Sequence, residues 1–217
     1  MPEGLTPSED ERSVERQEAG DSGWSWEQLR GKRVLDIGAG SGGFALEAKK
    51  HGVDVISLEP AEERVSPDTK KEVPFVSGLA QHLPFADESF DYAHSRAFPW
   101  VRLTPEKAKN ILNEALRVLK PNGQFVFIAP VSLRLSPESV SAPYNTLENV
   151  KQRYANQIQS AELLRQHFPH LGVKRLPSTG DLPRTRFTLN KNGSPEEWDD
   201  SIYDVSFDNW RPEDGED

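Results

Sequence analysis

The sequence predicts an α/β fold: a single seven-stranded sheet, mostly parallel, ending in a C-terminal antiparallel hairpin, with helices on both faces. Three observations carry this. Short apolar runs at 33–37, 53–59, 73–78, 89–95 and 124–130 alternate with segments of helical period, as parallel strands joined by crossover helices do. The first run, "RVLDI", passes directly into "GAGSGG", a glycine loop that opens a helix. The alternation then stops, and a loop and a long helix lead into two strand-like runs close enough to pair as a hairpin.

Taken in order, Trp24 to Arg30 reads as a short helix leading into the first strand. The helix "SGGFALEAKKHG" (41–52) is closed by Gly52, a good stop signal. "VDVISLE" (53–59) is the second strand. Pro60 starts a helix that Pro67 keeps short. "VPFVSG" (73–78) and "SFDYAHS" (89–95) are strands three and four. Thr104-Pro105-Glu106 begins a helix over 104–120, whose apolar face is Ile111, Ala115, Val118 and Leu119. "PNG" (121–123) is a turn before strand five, and 131–145 is a Ser/Pro-rich loop. The long helix that follows shows Leu147, Val150, Tyr154, Ile158, Ala161, Leu164 and Phe168 as one stripe, read as core contact. "VKRLPS" and "TRFTLNK", joined across "TGDLPR", form the hairpin.

Charge is unevenly spread. Residues 1–23 hold seven acids against two arginines, and 192–217 hold ten against one, so the tails together carry −14 of a chain whose net charge is −9. The stretch between them is +5, and the overall acidity does not argue against an anionic substrate. The expected organisation is therefore an acidic disordered tail (1–23), one domain (24–191) and a second acidic tail (192–217). Trp198, Tyr203, Phe207 and Trp210 leave open that the second tail folds back. No run reaches the roughly 18 apolar residues of a membrane helix, and the acid-rich N-terminus has no signal-peptide core. With no cysteine, disulfides, thiolate metal sites and thiol nucleophiles are excluded, and a cytoplasmic location is expected.

The glycine loop has the spacing G-x-G-x-x-G at Gly38, Gly40 and Gly43. A dinucleotide site looks similar, but Asp36 stands two residues before the first glycine, where a pyrophosphate would meet a like charge. A ligand with an ammonium and a sulfonium is welcome there instead. Glu59 ends the second strand and is suited to accept hydrogen bonds from two ribose hydroxyls. Adenosine ribose joined to such a cationic group is S-adenosylmethionine (SAM). The single sheet half agrees, since a dinucleotide fold needs a second βαβαβ unit.

Four blocks in this order resemble the class I SAM-dependent methyltransferases, in particular the ubiquinone/menaquinone methyltransferase group: "VLDIGAGSGG", "VISLEP", "FVSGLAQHLPFADESFDYAHS" and "LNEALRVLKPNGQFVFIAP". The resemblance covers about residues 26–190 and implies a Rossmann-like sheet, SAM as cofactor and methyl transfer by in-line displacement. It also implies that Asp36, Gly38, Ala39 and Gly40 line the methionine end and that Glu59 with Pro60 holds the ribose. Leu79, Ala80 and Gln81 would hold the adenine edge, and Ser95 would floor the site. Gly42 and Gly43 serve either helix start and close packing or direct contact. One departure is Leu79, where the family often has an aspartate that accepts from the adenine amino group; Gln81 is the candidate to compensate.

A general base is needed only if the acceptor must lose a proton. His94, near the carboxyl end of strand four, is the candidate catalytic residue, with a structural hydrogen-bonded role as its alternative. His82 is a weaker candidate, and Arg96 is placed for an anionic acceptor. The strand-four exit "HSRAFPW" lacks the Asn/Asp-Pro-Pro-aromatic motif for exocyclic base amines, and no Asp/His cluster has metal-ligand spacing. The resemblance makes residues 131–145, the head of the next helix and the N-terminal segment a lid, bringing Arg134, Tyr144, Lys151, Arg153 and Tyr154 toward the acceptor. A small-molecule acceptor is the leading expectation. An RNA or protein acceptor, a non-catalytic SAM-binding module and an NAD-dependent oxidoreductase are the alternatives, and oligomeric state is not readable.

Overall fold

A computed structural model describes residues 21–96, 103–130, 147–176, 184–193 and 197–203. Ser25 caps α1 (Trp26–Leu29), its hydroxyl accepting the Gln28 N–H. β1 (Arg33–Ile37) buries all but its first residue, as a central strand covered on both faces must. The glycine loop leads into α2 (Gly43–Lys50), whose last turn carries Lys49 and Lys50. β2 (Asp54–Leu58) runs parallel to β1 in the register Arg33↔Asp54 to Ile37↔Leu58.

Pro67 does more than end a helix. A short 3₁₀ turn at Glu62–Arg64 precedes it, and Pro67 then takes the first position of α3 (Pro67–Glu72), capped by Ser66. Proline's missing N–H costs nothing there. β3 (Phe75–Val76) is shorter than its apolar run, and β4 (Phe90–Arg96) pairs with β1 in parallel. Thr104 caps α4 (Pro105–Val118), which passes without a break into β5 (Leu119–Pro130). The turn expected at Pro121–Gly123 lies inside β5, as a register shift against β4, with Asn122 at φ +64. α5 (Leu147–His167), β6 (Leu171–Leu176) and β7 (Arg184–Asn190) complete the order.

The seven strands lie as β3-β2-β1-β4-β5-β7-β6, with β7 antiparallel to both its neighbours. Side chains of β1 alternate in direction while staying buried, so its residues serve both faces. Val34 joins Trp24, Leu29, Phe44, Ala45, Ala48 and Val126 beneath α1 and α2. Leu35 and Ile37 join Ile111, Leu112 and Ala115 of α4, Ala161 and Leu164 of α5, and Phe168 just beyond it on the opposite face. Burying Leu- or Phe-sized side chains stabilises by about 1.5–3 kcal/mol each, so these two layers hold the sheet rigid under the site.

Part of the acidic C-terminal stretch is folded onto the sheet. The Val173 N–H donates to the Glu197 carbonyl, and the Asp199 N–H donates to the Val173 carbonyl, so residues 197–199 cover the outer edge of β6. Ile202 is fully buried in the α4/α5 layer, and the Arg165 guanidinium lies over the Trp198 ring. Trp198 and Ile202 give an otherwise acidic run enough apolar surface to dock. Asp21 likewise pairs with Arg184 of β7, so the folded region reaches both ways beyond 24–191. Residues 1–20, 97–102, 131–146, 177–183, 194–196 and 204–217, with Arg134, Tyr144, Phe207 and Trp210, and the side chains of Leu147, Val150, Lys151, Arg153, Tyr154 and Ile158, lie outside the described residues. Among the described residues, no helix is long and apolar enough to cross a membrane.

Candidate functional site

The chain runs outward from β1 to β2 and β3 on one side, and from β4 to β5, β7 and β6 on the other. A reversal of this kind leaves a crevice at the carboxyl ends of β1 and β4, where open parallel sheets bind ligands. Asp36, the glycine loop, Glu59, the segment after β3 and Ser95 all converge there.

Backbone hydrogen bonds set the shape of the glycine loop. The N–H groups of Gly38 and Ala39 both donate to the Leu58 carbonyl, at 2.8 and 3.1 Å, tying the loop to the end of β2. The Gly42 N–H donates to the Ala39 carbonyl to close the turn. Gly38 has φ +72, a left-handed conformation side chains disfavour, and a Cβ there would meet nothing within 4 Å. Space therefore remains open above the loop. Gly42 has the opposite surroundings. At φ +91, a Cβ would sit 2.3 Å from Thr69 Cγ2, because α3 packs directly beneath. Thr69 Oγ1 also donates to the Ser41 carbonyl at 2.7 Å. Gly42 thus serves close packing, and Gly43, with nothing within 4 Å of its Cβ position, does not.

Glu59 is 1% exposed, yet its carboxylate is not isolated. Oε2 accepts the Gly40 N–H at 3.0 Å, and Oε1 accepts the Ala61 N–H at 3.2 Å. The Arg64 guanidinium stands 3.6 Å from Oε1 and is mostly exposed. A carboxylate offers about four lone-pair sites, so two backbone donors leave acceptor capacity for a neighbouring diol. Arg64 has no signal in the sequence pattern; only the 3₁₀ turn after Ala61 brings it back to Glu59.

Asp36 lies beside His94 in the β1–β4 register, and the two side chains are 3% and 1% exposed. Asp36 Oδ1 is 3.5 Å from His94 Nδ1, while Oδ2 is buried with no protein partner among the described residues. The His94 ring stacks on Phe44, with centroids 4.1 Å apart and planes at 23°, and Trp24 flanks it at 6.2 Å. The candidate base His94 thus packs between the sheet and α2, with its ring buried among the described residues. The period-2 alternation of β4 sends His94 toward α2 and leaves Ala93, in the α4/α5 layer, facing the other way.

The segment after β3 runs beside Glu59, whose N–H donates to the Val76 carbonyl. A Cβ on Gly78 would meet Leu58 Cδ1 at 3.0 Å, so this segment lies close against β2. Leu79 is 54% exposed at the rim, Ala80 is half-buried against the core, and Gln81 is half-buried. The Leu79 carbonyl accepts the His82 N–H at 3.0 Å. Beyond the turn, Arg117 of α4 pins the chain by donating to the Leu83 and Phe85 carbonyls, Asp87 and Glu114. Glu114 in turn accepts the Leu83 N–H at 2.8 Å. The Arg117 hydrogen bond and this N–H hold the Glu114 carboxyl below its ordinary value despite partial burial, and hydrogen bonds to Glu114 and Asp87 push Arg117 up. Ser95 is buried next to Phe127 of β5, and Pro60 and His82 are exposed. Asp36, Gly38, Ala39, Gly40 and Glu59 form the tight cluster; residues 79–81 lie on its rim.

The arrangement has one buried carboxylate oxygen with no partner among the described residues, a second carboxylate with spare acceptor sites, and open space above the glycines. Comparison with known proteins gives the same region an independent reading. A family model described as "Methyltransferase domain" matches residues 35–127. The chain is 39% identical over 98 residues to a demethylmenaquinone methyltransferase of Beutenbergia cavernae, covering 44% of this chain and 40% of that protein. It is 35% identical over 122 residues to a sarcosine/dimethylglycine N-methyltransferase of Aphanothece halophytica, covering 52% and 43%. The match therefore spans less than half the length of these relatives. In fold, it is similar to a Methanosarcina mazei protein described as a SAM-dependent methyltransferase, with a TM-score of 0.53 at 20% identity over 76% of this chain and 93% of that one.

Proposed function

We propose that this chain, which resembles the class I SAM-dependent methyltransferases in fold and carries a methyltransferase domain over residues 35–127, moves a methyl group from SAM to a small-molecule acceptor. The observation that carries the reading is the pair of buried carboxylates flanking the glycine loop. Asp36 and Glu59 suit a ligand with a cation at one end and a vicinal diol at the other, and fit a pyrophosphate poorly. The residues fit SAM: unpartnered Asp36 Oδ2 takes its ammonium, and the spare acceptor sites of Glu59 take the ribose hydroxyls. Gly38, Ala39 and Gly40 let the backbone approach the methionine moiety, with Pro60 beside the ribose, Leu79, Ala80 and Gln81 along the adenine edge and Ser95 beneath.

When bound, SAM supplies an electrophilic methyl group on a sulfonium, a good leaving group. The protein's own contribution is to hold the donor by its two ends and fix the direction from which the acceptor approaches. Positioning of this kind supplies much of the rate of a displacement. His94 takes no proton from the acceptor, because α2 covers it. The two relatives act on a quinone precursor and on amines by their names, which differ as acceptors, so the acceptor is assigned only as a small molecule. One observation favours a second reading. Exposed Leu79 offers no side-chain acceptor at the adenine edge, which suits a module that binds SAM weakly without transfer.

Titration calorimetry tests the binding reading. SAM and S-adenosylhomocysteine should both give saturable heat and NADH none. Heat from NADH alone would move the protein to the oxidoreductase class.

A further inference from the structure

His94 is left without a task once it is withdrawn from the acceptor, yet it is the most deeply placed polar ring at the site. It is 1% exposed, paired in register with Asp36 across β1 and β4, and clamped by Phe44 of α2 and the Trp24 indole. An apolar residue would fill this position at lower cost, since burying polar atoms is unfavourable unless they are hydrogen-bonded. Among the described residues the ring makes one polar contact. Its Nδ1 faces Asp36 Oδ1 at 3.5 Å, and its Nε2 is buried with no partner among the described residues.

We infer that His94 is a positioning residue for the charged end of SAM: its Nδ1–H engages Asp36 Oδ1 and turns Oδ2 toward the ammonium of the methionine moiety. The inference rests on the SAM reading and deepens it. An ionised carboxylate only accepts, so the nitrogen facing it must carry the hydrogen. The alternative tautomer sets a bare lone pair against the carboxylate and leaves the Nε2–H buried without an acceptor. The stack on Phe44 stops the ring from turning away, and Phe44 itself sits in the first turn of the helix that the glycine loop opens. The ring thus couples the helix start, β4 and the Asp36 carboxylate.

The test uses asparagine, whose amide nitrogen reproduces the Nδ1 donor, and leucine, which fills space without one. Calorimetric titration with SAM should show His94→Asn within about threefold of wild type and His94→Leu weaker by roughly tenfold, the scale expected when a charged group loses a buried hydrogen bond. Asp36→Asn and the Asp36→Asn/His94→Leu double variant should bind alike, because the ring acts only through Asp36. Nitrogen-15 spectra of the histidine ring supply a readout independent of SAM: wild type should show the Nδ1–H tautomer, and Asp36→Asn should lose it. An Nε2–H tautomer in wild type overturns the inference. So does an affinity loss that is the same for the asparagine and leucine variants, or absent from both, while wild type binds. Wild type giving no heat with SAM overturns the functional reading itself, and the inference with it.

Discussion

Replacing Glu59 by alanine perturbs two things that can be measured apart. In the free protein, the carboxylate accepts the Gly40 N–H at 3.0 Å and the Ala61 N–H at 3.2 Å, with only 2% of the side chain exposed. Removing it strands both donors, and unmade hydrogen bonds of this kind cost about 1–3 kcal/mol each, less where water enters. A net loss of about 2–4 kcal/mol follows, which lowers the melting temperature by roughly 5–15 °C for a domain of this size. Glu59→Gln keeps one carbonyl acceptor and should lose about half as much. Binding is the second effect. Two ribose hydroxyls on a carboxylate together contribute about 1.5–3 kcal/mol, so the alanine variant should bind SAM roughly ten- to a hundred-fold more weakly. Calorimetry well below each variant's melting temperature separates folding from affinity. If Glu59→Ala melts early but binds SAM as wild type does, the residue is a loop anchor only, and the ribose assignment is refuted.

Three further expectations follow from the geometry. Leu79→Asp places an acceptor at the exposed adenine edge and should tighten SAM several-fold by titration; unchanged affinity would mean that adenine lies elsewhere. Gly42→Ala must enter the left-handed region and displace Thr69, costing about 2–4 kcal/mol by denaturant unfolding, while Gly43→Ala, with open space, should lie within about 1 kcal/mol of wild type. The Glu114 carboxyl is held low chiefly by Arg117, so its contribution to stability is present above the unfolded glutamate value of about 4.3 and is lost as pH falls through its lower folded value. Thermal melts between roughly pH 3 and 7 should therefore fall off more steeply on the acid side for wild type than for Glu114→Gln; identical slopes would remove Glu114 from the acid transition.

Much of the fold was legible because parallel strands buried on both faces read as apolar runs, and because Gly52, Pro105 and the glycine loop punctuate them. Two features were not. The pairing of 197–199 with Val173 is made by main-chain groups, and the local composition is acidic, so nothing in its charge or period distinguishes it from a solvated tail. The turn at Pro121–Gly123 is absorbed into β5 because β4 offers a continuous edge on which the chain re-registers. At the site, the places of Asp36 and Glu59 at strand ends follow from the sequence. The surroundings of His94 do not: its position in β4 puts it near the crevice, but only the packing of Phe44 and Trp24 decides that it faces under the sheet. Arg64 reaches Glu59 through a 3₁₀ turn that proline spacing alone does not reveal.

The most direct measurement of the central claim is incubation of the purified protein with methyl-labelled SAM and a metabolite extract, followed by separation into small molecules, RNA and protein. Time-dependent label is expected in the small-molecule fraction, dependent on the protein and reduced in Glu59→Ala. Label confined to RNA or protein, or absent from every fraction while SAM binding is intact, would contradict it.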